Sequence, residues 1–319
     1  MMTRETLLQK GLKLSHLRIL AAFAETEKIS LAAERIGVTQ PAASRLVAEI
    51  EQIVGAPVHI RTGRGVALTL VGRALADRAQ RIIIELRDAA RDMAEITTGG
   101  VGHVRIGSVT GPAMDRVLPV LRTTRLAQPS VVVEVIVATS DILAQHLLTG
   151  RIDFALGRPP EGEERTQIDT QFITSELVSL VVRRGHPLQR KDPLAAPDLL
   201  GFDWVLPGPE SLMTRALLAR LQALGLPKPQ QRLFTSSFLL TLALVQQSNA
   251  IAPLARAVAD TFASAPDAPY ASLPLDLGII VEPFGLMTRT GMALPPAARH
   301  LADRILALHP SLTPHTITA

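Results

Sequence analysis

The segment GVTQPAASRLVAEIE (residues 37–51) has the pattern of an amphipathic helix with a proline close to its start. Its apolar residues recur every three or four positions, at Ala43, Leu46, Val47 and Ile50. Thr39 is a favourable N-cap, so Gln40 and Pro41 fall in the first turn, where a backbone N–H has no intrahelical partner and proline is tolerated. The pattern predicts a helix that begins abruptly and presents a polar face away from its core.

The flanking residues predict a helix-turn-helix followed by a hairpin. Upstream, residues 30–37 fit a short helix with Ser30 as N-cap and a glycine as its stop, and an earlier helix covers residues 15–27 with Ser15 as N-cap. Downstream, residues 56–69 alternate in polarity around a glycine-rich tip, which is typical of a β-hairpin. Two helices joined by a tight turn form a helix-turn-helix, and the hairpin would be its wing.

Residues 71–100 predict one long helix with an apolar seam. The seam residues are spaced alternately by four and three positions: Leu75, Ala79, Ile82, Leu86, Ala89, Met93 and Ile96. This heptad spacing favours pairing with a second copy of the chain through Leu75, Ile82, Leu86 and Met93. The alternative is one amphipathic helix packed on its own domain.

Beyond residue 102 the pattern changes to alternating strands and helices. Strand patterns at 103–109, 130–138 and 152–157 enclose two helices, which indicates a mainly parallel sheet with helices on its faces. A strand near 176–187 leads toward a second α/β set. The segments from residue 278 onward are expected to return to the first.

Composition limits the class of protein. The 319 residues are 47% hydrophobic and 19% charged, as in globular chains, and the net charge is +4. The first 98 residues contain 14 of the 33 Lys and Arg and 11 of the 29 Asp and Glu, so most of the basic excess lies there. No cysteine is present, which excludes disulfides and thiolate chemistry. Since neither a secretory signal nor a membrane span is evident, we expect a cytoplasmic protein without a membrane partner.

The residues that commonly perform catalysis form no known motif. His103, His146, His186 and His300 are scattered without metal-ligand spacing, and Ser108 lacks the G-x-S-x-G context. No phosphate-binding loop is present either. We therefore expect no enzymatic activity, no metal and no cofactor.

At residues 32–72 the chain resembles the LysR-type transcriptional regulators, and the resemblance extends from about Leu14 to His309. The segments at 12–30 and 104–115 look most like the group of the galactose-binding-protein regulator. Two departures are Glu27-Lys28, where the family often has Gly-Ser, and His59, where an apolar aromatic residue is usual. The second is expected to alter wing packing.

The resemblance implies an α+β fold and a domain order. A winged helix-turn-helix DNA-binding domain (14–72) precedes a linker helix for dimerisation (73–98) and an effector-binding domain (103–310). That domain has two α/β subdomains like those of periplasmic solute-binding proteins, subdomain I at about 103–175 and 276–310 and subdomain II at about 176–275. The implied partners are promoter DNA, a small effector, further copies in a homodimer or homotetramer, and RNA polymerase if the protein activates.

The predicted DNA contacts lie on the abrupt helix and on the wing. Gln40 suits a bidentate pair with adenine and Arg45 suits guanine or a phosphate, with Pro41 and Ser44 on the same face. At the hairpin tip, Arg61, Thr62 and Arg64 suit a narrow minor groove. Ser30 is expected to cap its helix and, by the resemblance, also to touch a phosphate. The alternative for all of them is an ordinary solvated face.

The predicted effector contacts are hydroxyls at helix starts. Thr110 and Ser140 each follow a strand, where open α/β sheets bind ligands, and the resemblance marks both as effector contacts. Ser211, Ser236 and Ser237 are candidates from subdomain II. Simple helix capping is the alternative for each. Such a cleft suits a small anion or a sugar-like ligand, and the alternative function is a solute-binding protein of a transport system.

Overall fold

The computed structural model describes five stretches of the chain: residues 7–62, 65–97, 102–127, 129–230 and 232–308. The chain divides into two compact units, Met1–Gly99 and Gly100–Ala319. The first is mainly helical and the second combines helices with a sheet, which confirms the predicted fold class. In the described part of the chain, no helix is both long and apolar enough to cross a membrane.

The N-terminal unit contains the helix-turn-helix, the hairpin and the long helix that the sequence predicts. Its elements are α1 (Leu14–Thr26), α2 (Ile29–Ile36), α3 (Gln40–Val54), β1 (His59–Thr62), β2 (Gly65–Leu68) and α4 (Leu70–Thr97). β1 and β2 are antiparallel, with His59 opposite Leu68. The first three helices enclose an apolar core that includes Phe23, Val47 and Ile50, and the hairpin and the start of α4 pack against it.

The abrupt start of α3 has a local cause. Gly37 ends α2 with a φ of 75°, a left-handed conformation that glycine adopts without a Cβ clash. Two residues later, the Thr39 hydroxyl accepts a hydrogen bond from the Ala42 N–H at 3.4 Å, and Pro41 lies in the first turn. The predicted N-cap and the predicted place of the proline are both confirmed.

Two other predicted N-caps are wrong, because the cap of each helix lies two residues earlier. Lys13, not Ser15, precedes α1, and the His16 ring replaces a serine cap by accepting a hydrogen bond from the Lys13 N–H at 3.1 Å. Lys28, not Ser30, precedes α2, since Ile29 already packs as a helical residue against the core. Ser30 therefore lies inside the first turn of α2.

The C-terminal unit alternates strands and helices. Its first elements are β3 (His103–Ser108), α5 (Thr110–Pro112), a π turn (Ala113–Val117), α6 (Leu118–Ala127), β4 (Val132–Val137), α7 (Ser140–Leu148), β5 (Phe154–Gly157) and β6 (Ile168–Arg183). The later ones are β7 (Trp204–Leu206), α8 (Leu212–Ala223), β8 (Arg232–Phe234), α9 (Phe238–Gln247), β9 (Ala252–Ala255), α10 (Arg256–Ala263), β10 (Tyr270–Ser272), β11 (Ile280–Arg289) and α11 (Pro296–Ala307).

The strands and helices of this unit enclose two apolar cores, and two long strands extend from one core to the other. The main sheet has the order β10-β6-β11-β5-β3-β4, with β9 also on β6, and β3 pairs in parallel with β4 and β5. In subdomain I, α11 packs on β3 and β5 around Val104, Ile106 and Phe154. In subdomain II, Trp204 is at the centre of a second core. β6 and β11 run antiparallel between the two cores, since Val178 and Val281 belong to the second core and Leu286 to the first.

Candidate nucleic-acid interface and ligand cleft

Helix α3 separates an apolar face from a polar one. Its buried side is formed by Ala43, Val47 and Ile50. The four residues of α3 that were predicted to contact DNA are all exposed: Gln40, Pro41, Ser44 and Arg45. The helix therefore presents amide, hydroxyl and guanidinium groups on one side without loss of core packing.

Two glutamates that sequence reasoning missed hold α3 in place. The Glu49 carboxylate lies 2.9 Å from Nε2 of His16, whose side chain is only 2% exposed, and this contact joins α3 to α1. Glu51 Oε1 accepts a hydrogen bond from the Val58 N–H at 2.9 Å and lies 3.0 Å from Nδ1 of His59. For Glu51 the available signal was a histidine eight positions later, whereas Glu49 and His16 are 33 positions apart and gave none.

The structure describes two of the three residues that were predicted to contact DNA from the hairpin. Arg61 is exposed on β1, Thr62 ends that strand, and Arg64 lies outside the described residues. The departure at His59 has a structural role, because its ring meets Phe23 edge-on with centroids 6.4 Å apart. That contact attaches the wing to α1, in line with the expected change in wing packing.

The residues of the predicted apolar seam of α4 differ in solvent exposure. Leu75 packs against the core of its own unit, and Ala79 is buried beside Leu17 and Ala21 of α1. In contrast, Ile82, Leu86 and Met93 are 44%, 51% and 62% exposed. Leu75 is only partly buried, so its place in the seam stays a prediction, while Ile82, Leu86 and Met93 are the exposed apolar residues of the seam.

Thr110 and Ser140 begin α5 and α7, directly after the neighbouring parallel strands β3 and β4. Both are partly buried, and the Ser140 hydroxyl accepts a hydrogen bond from the Arg158 N–H at 3.1 Å. Because Arg158 follows β5, the carboxyl ends of three adjacent strands converge at this point. Open α/β sheets bind ligands at such strand ends, so this point remains the candidate ligand cleft.

An ion pair that the sequence did not reveal lies beside these residues. Arg158 Nη2 is 3.2 Å from Glu176 Oε2, and each side chain is 11% exposed. Arg158 Nε also donates to the Glu282 carbonyl at 2.8 Å. A Cβ built on Gly111 would lie 2.8 Å from Glu176 Oε1, so this carboxylate packs against the turn that begins at Thr110. Glu176 is one of three charged residues of β6, with Asp169 and Arg183, so the sequence did not single it out.

The serines proposed from subdomain II occupy helix starts. Ser211 accepts a hydrogen bond from the Thr214 N–H at 3.1 Å, and Ser237 accepts one from the Leu240 N–H at 3.3 Å. Ser236 is exposed just before the second of these caps. Capping thus accounts for two of the three hydroxyls, while their role toward an effector stays a prediction.

The histidines do not assemble into a site within the described residues, which contain no cluster of three or more potential metal ligands. Burial lowers the pKa of His186, whose Nδ1 accepts from the Leu188 N–H at 3.2 Å and whose Nε2 lies 3.0 Å from the Asn249 carbonyl. The pKa of His146 is also lowered, mainly by desolvation.

Comparison with known families covers nearly the whole chain. A model described as "Bacterial regulatory helix-turn-helix protein, lysR family" matches residues 14–73, and one described as "LysR substrate binding domain" matches residues 97–309. The chain belongs to the LysR family of transcriptional regulators. It combines a helix-turn-helix DNA-binding domain with an effector-binding domain, which supports this class over a solute-binding protein of a transport system.

Individual relatives agree with that assignment. The HTH-type transcriptional regulator GbpR of Rhizobium radiobacter is 41% identical over 249 residues, 77% of this chain and 82% of that one. GbpR of Azospirillum brasilense is 34% identical over 293 residues, 92% and 85% of the two chains. This confirms the predicted likeness to the galactose-binding-protein regulator group. A full-length variant of OxyR from Pseudomonas aeruginosa has the same fold, with a TM-score of 0.61 at 21% identity over 92% of this chain and 94% of that chain.

Proposed function

We propose that this regulator reads base edges of promoter DNA with the start of α3 and that a small effector in the cleft of its second unit controls this binding. The observation that carries the proposal is the exposed polar face of α3, which starts abruptly at Gln40 and Pro41. The proposed domains are residues 14–72, 73–98 and 103–310. The proposed location is the cytoplasm, and the proposed role is binding rather than catalysis.

The chemistry of α3 supports base-specific contact. A glutamine can form two hydrogen bonds to adenine, and an arginine can do the same to guanine. Gln40 lies in the first turn and Arg45 just over one turn later, so both reach one groove if the helix enters by its N-terminal end. The exposed Arg61 on the hairpin is available for the adjacent minor groove or a phosphate. Ser30, exposed in the first turn of α2, is available for a phosphate contact.

The cleft of the second unit supports a small polar effector. Thr110 and Ser140 supply hydroxyl and backbone donors where three strands end, and a small anion or a sugar-like molecule fits that chemistry. Ser211, Ser236 and Ser237 are proposed as contacts from subdomain II. Effector binding would shift the closure of the two subdomains and thereby alter DNA binding.

We also propose that copies of the chain associate through α4. The apolar face of α4 at Leu75, Ile82, Leu86 and Met93 repeats at heptad spacing and suits a second copy of the chain, in a homodimer or homotetramer. The last three of these side chains are exposed. A symmetric regulator would bind two half-sites of related sequence. RNA polymerase is a further partner if the protein activates transcription.

The proposal is tested by footprinting the full-length protein on DNA from upstream of its own gene. We expect a protected segment with two related half-sites. We also expect loss of protection in Arg45→Ala and full protection in Arg122→Ala, which removes an exposed arginine of α6 in the other unit. Protection spread evenly over all DNA, or unchanged in Arg45→Ala, would contradict base recognition by α3.

A further inference from the structure

Arg158 contacts both strands that connect the two subdomains. It follows β5 in subdomain I, where its N–H is bound to the Ser140 hydroxyl. From there its guanidinium reaches the Glu176 carboxylate on β6 at 3.2 Å and the Glu282 carbonyl on β11 at 2.8 Å. One side chain fixed in subdomain I is thus bound to each connecting strand at the crossing.

The pairing of those strands is irregular at this point. Val281 pairs with Glu176, whereas Phe284 pairs with Thr174, so the register shifts between them, and it shifts again after Phe284. Pro283 lies within the first irregularity and has no N–H to donate. Interrupted pairing weakens the ladder where the chain passes between subdomains. The hydrogen bonds of Arg158 therefore hold a segment that the sheet itself holds less firmly.

The same ion pair touches both candidate effector positions. Arg158 is joined to Ser140 through its backbone, and the Glu176 carboxylate packs against Gly111, next to Thr110. A ligand that moves either helix start must also disturb Arg158 or Glu176. Both side chains are only 11% exposed, so separation of the pair would leave two largely desolvated charges. The ion pair is therefore expected to be either intact or broken, without stable intermediate separations of the two charges.

We propose that Arg158 and Glu176 are positioning residues that set the closure of the two subdomains and couple effector binding to it. The coupling rests on the proposed function, since it takes the effector to lie beside Thr110 and Ser140. The effect of Arg158 and Glu176 on the closure of the two subdomains does not depend on any ligand. It follows from the contacts of Arg158 with both connecting strands.

The test uses pulsed electron resonance on the full-length chain without ligand. The chain has no cysteine, so Arg122→Cys on α6 and Ala219→Cys on α8 place one spin label on an exposed helix of each subdomain. Labelled chain is mixed with an excess of unlabelled chain before assembly, so that distances within one chain dominate. We expect Arg158→Gln and Glu176→Gln each to shift and broaden the distance distribution.

A double-mutant comparison and a conservative variant make the result specific. The double variant should give the same distribution as Arg158→Gln alone, because that variant already lacks the contact with Glu176. Glu176→Gln keeps the hydrogen bond from Arg158 to the Glu282 carbonyl and should shift the distribution less. Arg158→Lys keeps the charge but cannot bind the Glu176 carboxylate and the Glu282 carbonyl with one ammonium group as the planar guanidinium does. It should fold readily and give an intermediate distribution.

The matched control is a second buried ion pair inside subdomain I. Arg105 Nη2 lies 2.9 Å from Asp153 Oδ1, and Arg105→Gln should lower the melting temperature without moving the two labels. Two results would overturn the proposal. One is a wild-type distance distribution in both Arg158 variants and in Glu176→Gln; the other is a shift of that distribution in Arg105→Gln as large as in the Arg158 variants. That result would leave the proposed function intact, because the measurement involves neither DNA nor effector.

Discussion

Glu51 on α3 holds His59 on β1, the first strand of the hairpin, with Oε1 and Nδ1 3.0 Å apart. The same oxygen accepts the N–H of Val58, a fully buried residue at the foot of the hairpin. The helix and the hairpin proposed to contact DNA are therefore joined by one carboxylate. Their relative position is set by a polar contact as well as by apolar packing.

Replacement of Glu51 by alanine should destabilise the N-terminal unit by about 1–3 kcal/mol, because a buried N–H loses its acceptor. Glu51→Gln keeps an oxygen acceptor and should retain most of the stability. Calorimetry of the full chain measures both. As a control, Glu25→Ala removes a partly exposed ion pair with Arg35 and should cost at most about 1 kcal/mol. Equal losses in Glu51→Ala and Glu25→Ala would show that Glu51 has no special role.

The apolar face of α4 should mediate self-association. The double substitution Ile82→Glu and Leu86→Glu would bury unpaired charges in a helix pair, so the full-length protein should sediment as a smaller species. Arg87→Glu changes the charge at an exposed position of α4 that lies away from this seam and should have no effect. A wild-type protein that stays monomeric at high concentration in analytical ultracentrifugation would refute the seam.

The cleft hydroxyls should control the response to the effector. A metabolite that raises the melting temperature of the wild type in a concentration-dependent manner identifies a candidate. Thr110→Val and Ser140→Ala should each weaken its affinity from several-fold to about a hundredfold, as expected for one lost hydrogen bond. Titration calorimetry measures this, with Ser248→Ala, an exposed hydroxyl at the end of α9, as control. Wild-type affinity in both cleft variants would place the effector elsewhere.

Stability should fall in mild acid because of His186. Burial lowers its folded-state pKa below the ordinary value of 6.5, so the unfolded chain binds a proton more readily. The stabilising contribution of neutral His186 to folding is complete above pH 6.5, and it is lost as the pH falls from there toward the folded-state pKa. Thermal unfolding from about pH 8 to about pH 5.5 should show this decline, and His186→Gln should flatten it. His146, whose pKa is also lowered, accounts for a remaining slope. An identical slope in the variant would exclude His186 as the source.

The elements were predictable where local rules decide them. Thr39, Pro41 and the four-and-three spacing fix the start and the faces of α3 through backbone chemistry alone, and the structure agrees. The caps at Ser15 and Ser30 failed because a neighbouring side chain or an apolar contact decided the helix start instead. His16 acts as cap in one case, and Ile29 is drawn into the core in the other.

Contacts between distant segments could not be predicted from one sequence. Arg158 and Glu176 are 18 positions apart, and nothing local indicates that they meet at the crossing of β6 and β11. The contact of Leu75 with the helix-turn-helix core depends on how α4 packs, which periodicity does not specify. Heptad spacing identifies an apolar face, whereas tertiary packing decides which part of it stays free.

The most direct test of the account is a gel-shift titration of Arg45→Ala at one fixed salt concentration, on the footprinted site and on random DNA of equal length. If Arg45 reads a base edge, the variant should lose about 1–3 kcal/mol of binding free energy on the specific site and little on random DNA. Arg122→Ala should match the wild type on both. An equal loss on both DNAs would assign Arg45 to a phosphate, and no loss on either would contradict the recognition role of α3.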